Sequence, residues 1–166
     1  MPPFEFPPDF RTRDILSNGT TIHVRAGGTG PAVLLLHGYA ETGDMWAPMA
    51  VDLASDHTVV VPDLRGMGRS AKPSGGFDKK TQAADIRAVV TTLGFDHTFV
   101  VSHDIGIMVA YAYAALYPDK VDRLVVMDAP LPGIAPWDDL IKDHRLWHFS
   151  FWGTDEEKEQ KGRRNL

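Results

Sequence analysis

The amino-acid sequence predicts an α/β fold, a mostly parallel sheet flanked by helices, and three observations carry that prediction. Four short, continuous apolar runs recur along the chain, segments of helical length separate them, and an Asn-Gly pair near the start marks a hairpin. A continuous apolar run between turn signals is the pattern of a strand covered on both faces, as in parallel sheets. Alternation of such strands with helices implies parallel crossovers.

The elements follow in order. Residues 1–10 contain Pro2, Pro3, Pro7 and Pro8, which fix φ and supply no backbone donors, so an extended N-terminal arm is expected there. The core is expected over 11–132. Segments 11–16 and 21–26 flank Ser17-Asn18-Gly19, the turn chemistry of an antiparallel hairpin. The apolar runs 32–36, 58–61, 98–101 and 123–127 are the buried strands, and 44–54, 80–93 and 105–117 are the helical candidates, the last ended by Pro118. Beyond Pro130, the breakers Pro132, Gly133 and Pro136 precede an aromatic stretch from Trp147 to Trp152, so a second unit is expected to start over 133–152. Residues 153–166 are charged, lack apolar periodicity and read as a solvated tail. No internal repeat or low-complexity segment interrupts this plan.

Bulk chemistry narrows the function classes. At 166 residues, 43% hydrophobic and 23% charged, the chain has the composition of one globular domain or part of one. A net charge of -5 without a long basic run argues against a nucleic acid or an anionic membrane as partner, and points to a small molecule. The absence of Cys removes disulfides, thiolate nucleophiles and thiolate metal sites together. No apolar stretch approaches the roughly 20 residues that span a bilayer. The opening MPPFEFPPDF lacks the basic flank and apolar run of a secretory signal, so a cytoplasmic location is expected. No cofactor motif is present; His144 and His148 are four apart without a third ligand, so no metal is expected. Oligomeric state has no sequence signal.

The chemistry concentrates at Val100-Val101-Ser102-His103-Asp104-Ile105-Gly106, where a polar residue stands between a buried strand and a helix, with small residues two positions to either side. That is the context of a nucleophile elbow with Asp at its apex. A helix beginning immediately after the turn favours negative charge there. Asp is also a favoured N-cap, so capping is the plain structural alternative. Two further motifs follow parallel strands: His37-Gly38-Tyr39-Ala40-Glu41-Thr42, and the glycine-punctuated Pro62 to Ser70, which reads as structural.

Together these three motifs resemble the α/β-hydrolase superfamily, and within it the branch of epoxide hydrolases and haloalkane or haloacetate dehalogenases, across about residues 10 to 152. The resemblance implies the α/β-hydrolase fold with the start of a helical cap, and Asp104 as a nucleophile that forms a covalent alkyl ester. It implies backbone N–H donors at Tyr39 and Ile105 for developing oxyanion charge, with His37 and Gly38 ordering the donor loop. Asp128, after the strand 123–127, matches the triad acid of some relatives. Trp147 and His148 match the opening of the cap, and are expected at the pocket of a small apolar organic substrate. Ala40 departs from the usual Pro and Ile105 from the Trp that helps hold a halide; Ile105 and Met108 also replace the arginines of fluoroacetate-type enzymes. Those departures put epoxide opening ahead of dehalogenation, with a non-catalytic binding module as the alternative of another class. Ser102 as an esterase nucleophile is the weakest reading, two residues before the apex. The histidine that would hydrolyse the ester has no match among the seven present, so the chain reads as an incomplete front portion capable of half a cycle.

Overall fold

The computed structural model describes residues 6–146. Six strands form one sheet: β1 (Arg11–Ser17), β2 (Thr20–Gly27), β3 (Ala32–Leu36), β4 (Thr58–Pro62), β5 (Thr98–His103) and β6 (Val121–Met127). Their spatial order is β1-β2-β4-β3-β5-β6. The Asn18-Gly19 hairpin pairs β1 with β2, and β2 also runs antiparallel to β4. The pairs β3–β4, β3–β5 and β5–β6 are parallel.

Because side chains alternate across a strand, the apolar runs feed two cores. Leu34, Leu36, Val60 and Val100 face one side with Ile86, Val89, Val109 and Tyr113. These last four belong to α2 (Lys79–Thr92) and α3 (Gly106–Leu116). Val33, Leu35, Val59 and Val61 face the other side, against Trp46 and Ala50. Ala50 lies on α1 (Ala47–Leu53). Each fully buried Leu or Ile contributes about 1.5–3 kcal/mol. The result is a three-layer α/β/α sandwich, the class the sequence predicts.

Local chemistry explains where the elements differ from expectation. The segment 44–54 is not one helix: Gly43–Trp46 is 3-10 and α1 starts only at Ala47. Pro48 has no N–H to continue the ladder from residue 44, so the α-helix restarts there. α2 begins at Lys79 because the Asp78 side chain accepts the Thr81 N–H as its N-cap. The N-terminal arm is corrected for residues 6–10: Phe10 N–H donates to Pro7 O in a turn, and Phe6 packs on Phe10 at 5.0 Å between ring centroids. Aromatic burial outweighs the extended bias of the prolines. Beyond β6 a short helix, α4 (Trp137–Leu140), follows a loop. Residues 1–5 of the arm, 147–152 of the expected cap and all of 153–166 lie outside the described residues, as do Trp147 and His148. Among the described residues no helix is long and apolar enough to cross a membrane.

The path of the chain positions the site. From β3 it moves to β4 on one side, then crosses back to β5 on the other, so the strand order reverses between β3 and β5. α1 and the pair α2, α3 consequently cover opposite faces, and the loops leaving β3 and β5 diverge over a crevice. Open α/β sheets bind ligands at such a switch point, outside the carboxyl ends of the strands. His37, Asp63, Asp104 and Asp128 each stand immediately after a parallel strand, at that edge.

Candidate active site

Asp104 leaves β5 with φ +47°, in the left-handed region that few non-glycine residues enter. Its amide donates to Met127 O at 3.1 Å, which ties the turn to the end of β6. The helix cap is not its role: the N-cap of α3 is Ile105, and no side chain caps it. The Asp104 carboxylate instead receives the Tyr39 backbone N–H on Oδ2 at 2.8 Å, across the crevice.

The small residues around the turn have steric reasons. A Cβ on Gly106 would stand 2.6 Å from His37 O and 2.8 Å from Leu36 O, so only glycine lets α3 start against the end of β3. A Cβ on Gly38 would meet Glu41 Oε2 at 2.6 Å and Asp104 Cβ at 2.8 Å, which is how the donor loop comes within reach of the carboxylate. Ser102 is fully buried and its hydroxyl donates to Val125 O at 3.0 Å, so it is committed to the sheet and the esterase reading loses its nucleophile.

The donor loop is a turn in which Glu41 N–H reaches Gly38 O at 3.4 Å, with Ala40 at φ +57°. Positive φ at the third position, with none at Tyr39, is a type II turn. Proline cannot adopt that φ, so this conformation excludes the proline of the family pattern at position 40. Beneath the turn lies His37, fully buried. Leu64 N–H donates to its Nε2 at 2.9 Å, which leaves Nδ1 carrying the proton and donating to Gly38 O at 2.9 Å. Burial pushes the imidazole pKa below its ordinary value, against the opposing effects of the Gly38 carbonyl and Asp63. His37 thus joins the loop after β3 to the loop after β4 as a neutral ring.

The segment Pro62 to Ser70 is held by buried ion pairs. Asp63 accepts Arg25 Nη1 at 2.9 Å, Gly43 N–H at 2.8 Å and Arg69 N–H at 2.8 Å. Burial alone would raise its pKa; the Arg69 and Gly43 amides and the Arg25 guanidinium outweigh burial and leave it below the usual carboxylate value. Arg65 grips Asp85 through Nε at 2.7 Å and Nη2 at 2.8 Å. Fork-to-fork geometry of this kind fixes position as well as charge.

A pocket of about 370 Å³ opens beside the elbow, within the range for small-molecule sites. Tyr39 and Ile105, whose backbones flank Asp104, share its wall with Met67, Phe77 and Gln82. The sequence reading expected pocket residues only at Trp147 and His148. Met67 and Phe77 went unseen; Met67, set between two glycines after a parallel strand, was the available signal.

His103, which the sequence offers only as part of the elbow motif, stands between two carboxylates: Nδ1 lies 3.1 Å from Glu41 Oε2 and Nε2 lies 3.6 Å from Asp128 Oδ2. Asp128, at φ +64°, has a side chain 88% exposed. The other described histidines meet partners away from Asp104: His23 meets Asp14, His57 meets Asp56, His97 meets Asp96 and Asp122, and His144 meets Asp143. Among the described residues no group of three metal-ligating side chains assembles.

Known proteins resemble this chain in sequence and fold. The model of the alpha/beta hydrolase fold family matches residues 31–159. A soluble epoxide hydrolase from Corynebacterium sp. (strain C12) is 42% identical over 117 residues, 70% of this chain and 41% of that protein. A fluoroacetate dehalogenase from Burkholderia sp. is 37% identical over 149 residues, 86% of this chain and 49% of that protein. The solved structure of epoxide hydrolase VrEH1 from Vigna radiata superposes with a TM-score of 0.73 at 30% identity, covering 82% of this chain and 46% of that one. The chain thus spans less than half the length of each of these three relatives. Family match, sheet topology and elbow geometry agree: the chain belongs to the α/β-hydrolase fold family, among relatives that include epoxide hydrolases and a dehalogenase.

Proposed function

We propose that Asp104 is the nucleophile of an epoxide hydrolase-type reaction on a small apolar epoxide. Oδ1, the carboxylate oxygen that Tyr39 does not hold, attacks a ring carbon. The new C–O ester bond forms as the ring C–O bond breaks, and the released alkoxide takes a proton from water. The observation that carries this reading is the left-handed Asp104 whose carboxylate sits on the Tyr39 N–H. In the second step water would cleave the ester, with the Tyr39 and Ile105 N–H groups facing the developing oxyanion. Asp128 is the candidate acid for orienting the base of that step.

Among the described residues, the histidine side chains meet partners other than Asp104. The reading for this chain is therefore alkylation of Asp104 without rapid turnover. Dehalogenation with the same Asp is the second reading, favoured by the 37% identity to the Burkholderia fluoroacetate dehalogenase. Ile105 and Met108 stand against it, since neither supplies a charge for a halide or a substrate carboxylate.

The test exposes the chain separately to styrene oxide and to an alkyl halide or a haloacetate, then maps covalent mass by peptide. Epoxide mass on the peptide containing Asp104, and none from the halide, is the expected result. Label from the halide alone would move the dehalogenase reading to the front. A folded chain that takes no label from either reagent would leave a non-catalytic ligand-binding module as the account of the pocket.

A further inference from the structure

Glu41 closes the turn that carries Tyr39, and its carboxylate meets both walls of the crevice. Oε2 accepts the Gly38 N–H at 2.7 Å, within the loop after β3. The same oxygen lies 3.1 Å from His103 Nδ1, in the residue just before Asp104 at the end of β5. His103 continues the chain of contacts toward Asp128 after β6, at 3.6 Å. One carboxylate oxygen therefore connects the donor loop to the elbow.

The turn needs such a connection. Ala40 at φ +57° is in a conformation that costs a non-glycine residue about 1–2 kcal/mol, and Tyr39 stands on the exposed side of the site. Gly38 is packed so closely on Glu41 and on Asp104 that small motions of the turn are felt at the carboxylate. We infer that Glu41 is a positioning residue: by holding Gly38 N–H and His103 Nδ1 together, it keeps the Tyr39 N–H on Asp104 Oδ2. The inference rests on the proposed role of Asp104 for its kinetic consequence, and on geometry alone for its structural one.

The experiment compares the chain with Glu41→Ala, Glu41→Gln and His103→Gln, using styrene oxide as the probe. Two quantities are read: the rate of Asp104 labelling against epoxide concentration, and amide hydrogen exchange at Tyr39. Misplacing a reacting group by about 1 Å costs up to about a hundredfold, so Glu41→Ala, which frees the turn that orients the Asp104 carboxylate, should lower the maximal labelling rate about tenfold or more. The half-saturating concentration should move less than the rate, because Glu41 itself lines no part of the pocket. Exchange at Tyr39 should quicken about tenfold in Glu41→Ala and rise in His103→Gln, which cuts the tether from the other side. Glu41→Gln should restore both readouts, since its amide oxygen can stand in the place of Oε2 and accept from both Gly38 N–H and the Nδ1–H tautomer of His103. Unchanged exchange at Tyr39 in Glu41→Ala, or a Glu41→Gln variant as impaired as Glu41→Ala, overturns the inference. If the unaltered chain takes no label, the nucleophile reading fails, and the exchange measurement still decides the role of Glu41.

Discussion

Asp63 and Asp104 stand at equivalent places, each the first residue after a parallel strand, yet their surroundings differ. Asp63 is fully buried and committed on both oxygens, to Arg25, Gly43 and Arg69. Asp104 sits in a strained turn, with the Tyr39 amide on one oxygen. A carboxylate whose acceptors are filled by buried donors is structural; one held by a single amide at a crevice has an oxygen to spare for chemistry. Strand position therefore does not separate the two; the donor count does, and on the proposed reading it leaves Asp104 as the reactive one.

The largest expected effect lies on the reactive side. Asp104→Asn should cut labelling by at least about a thousandfold, as loss of a nucleophile does. Stability should stay within about 1 kcal/mol, because Asn tolerates left-handed φ and keeps an acceptor for Tyr39. Peptide mapping and urea denaturation read the two quantities. The opposite pattern belongs to Asp63→Ala, which leaves Arg25 with only the half-exposed Asp44 as its ion partner and strips the Gly43 and Arg69 amides of their acceptor, and should cost about 3 kcal/mol in urea denaturation. A cost under about 1 kcal/mol would break the contrast.

Acidity tests the same contrast more finely. The lowered pKa of His37 means the unfolded chain binds its proton at a higher pH than the folded chain. Stability therefore falls as pH drops from about 6.5 towards the folded value, by at most about 1.4 kcal/mol per pH unit for one proton. His37→Gln should show a flatter slope in that window. Asp63, also lowered, stabilises the fold above the ordinary carboxylate range, and that stability is lost as pH falls through its folded value. Asp63→Ala should flatten that more acidic limb. The smallest effect is at Ala40: glycine there relieves the positive φ and should raise stability by no more than about 1 kcal/mol, read as a higher thermal midpoint. A lower midpoint would mean that Ala40 is unstrained.

The sheet was legible because its signals are local. Apolar runs such as Ala32–Leu36, and the Asn18-Gly19 turn, specify strand and hairpin without long-range information. Small residues at 102 and 106 flagged the elbow, though the His37 carbonyl that excludes a side chain at Gly106 is visible only in three dimensions. Glu41, His103 and Asp128 are far apart in sequence and meet because the ends of β3, β5 and β6 converge, so periodicity cannot reveal them. Phe6 and Phe10 show the converse: prolines predict extension locally, and aromatic packing decides otherwise. Val125 and Val126 of edge strand β6 are 47% and 44% exposed, although their apolar run reads like those of the covered strands.

The most direct measurement is the site of label when the folded chain is incubated with styrene oxide and digested for peptide mapping. The account predicts one epoxide equivalent on the peptide bearing Asp104 and none on the peptide bearing Asp63. Label shared between the two aspartates, or label that persists in Asp104→Asn, would contradict it.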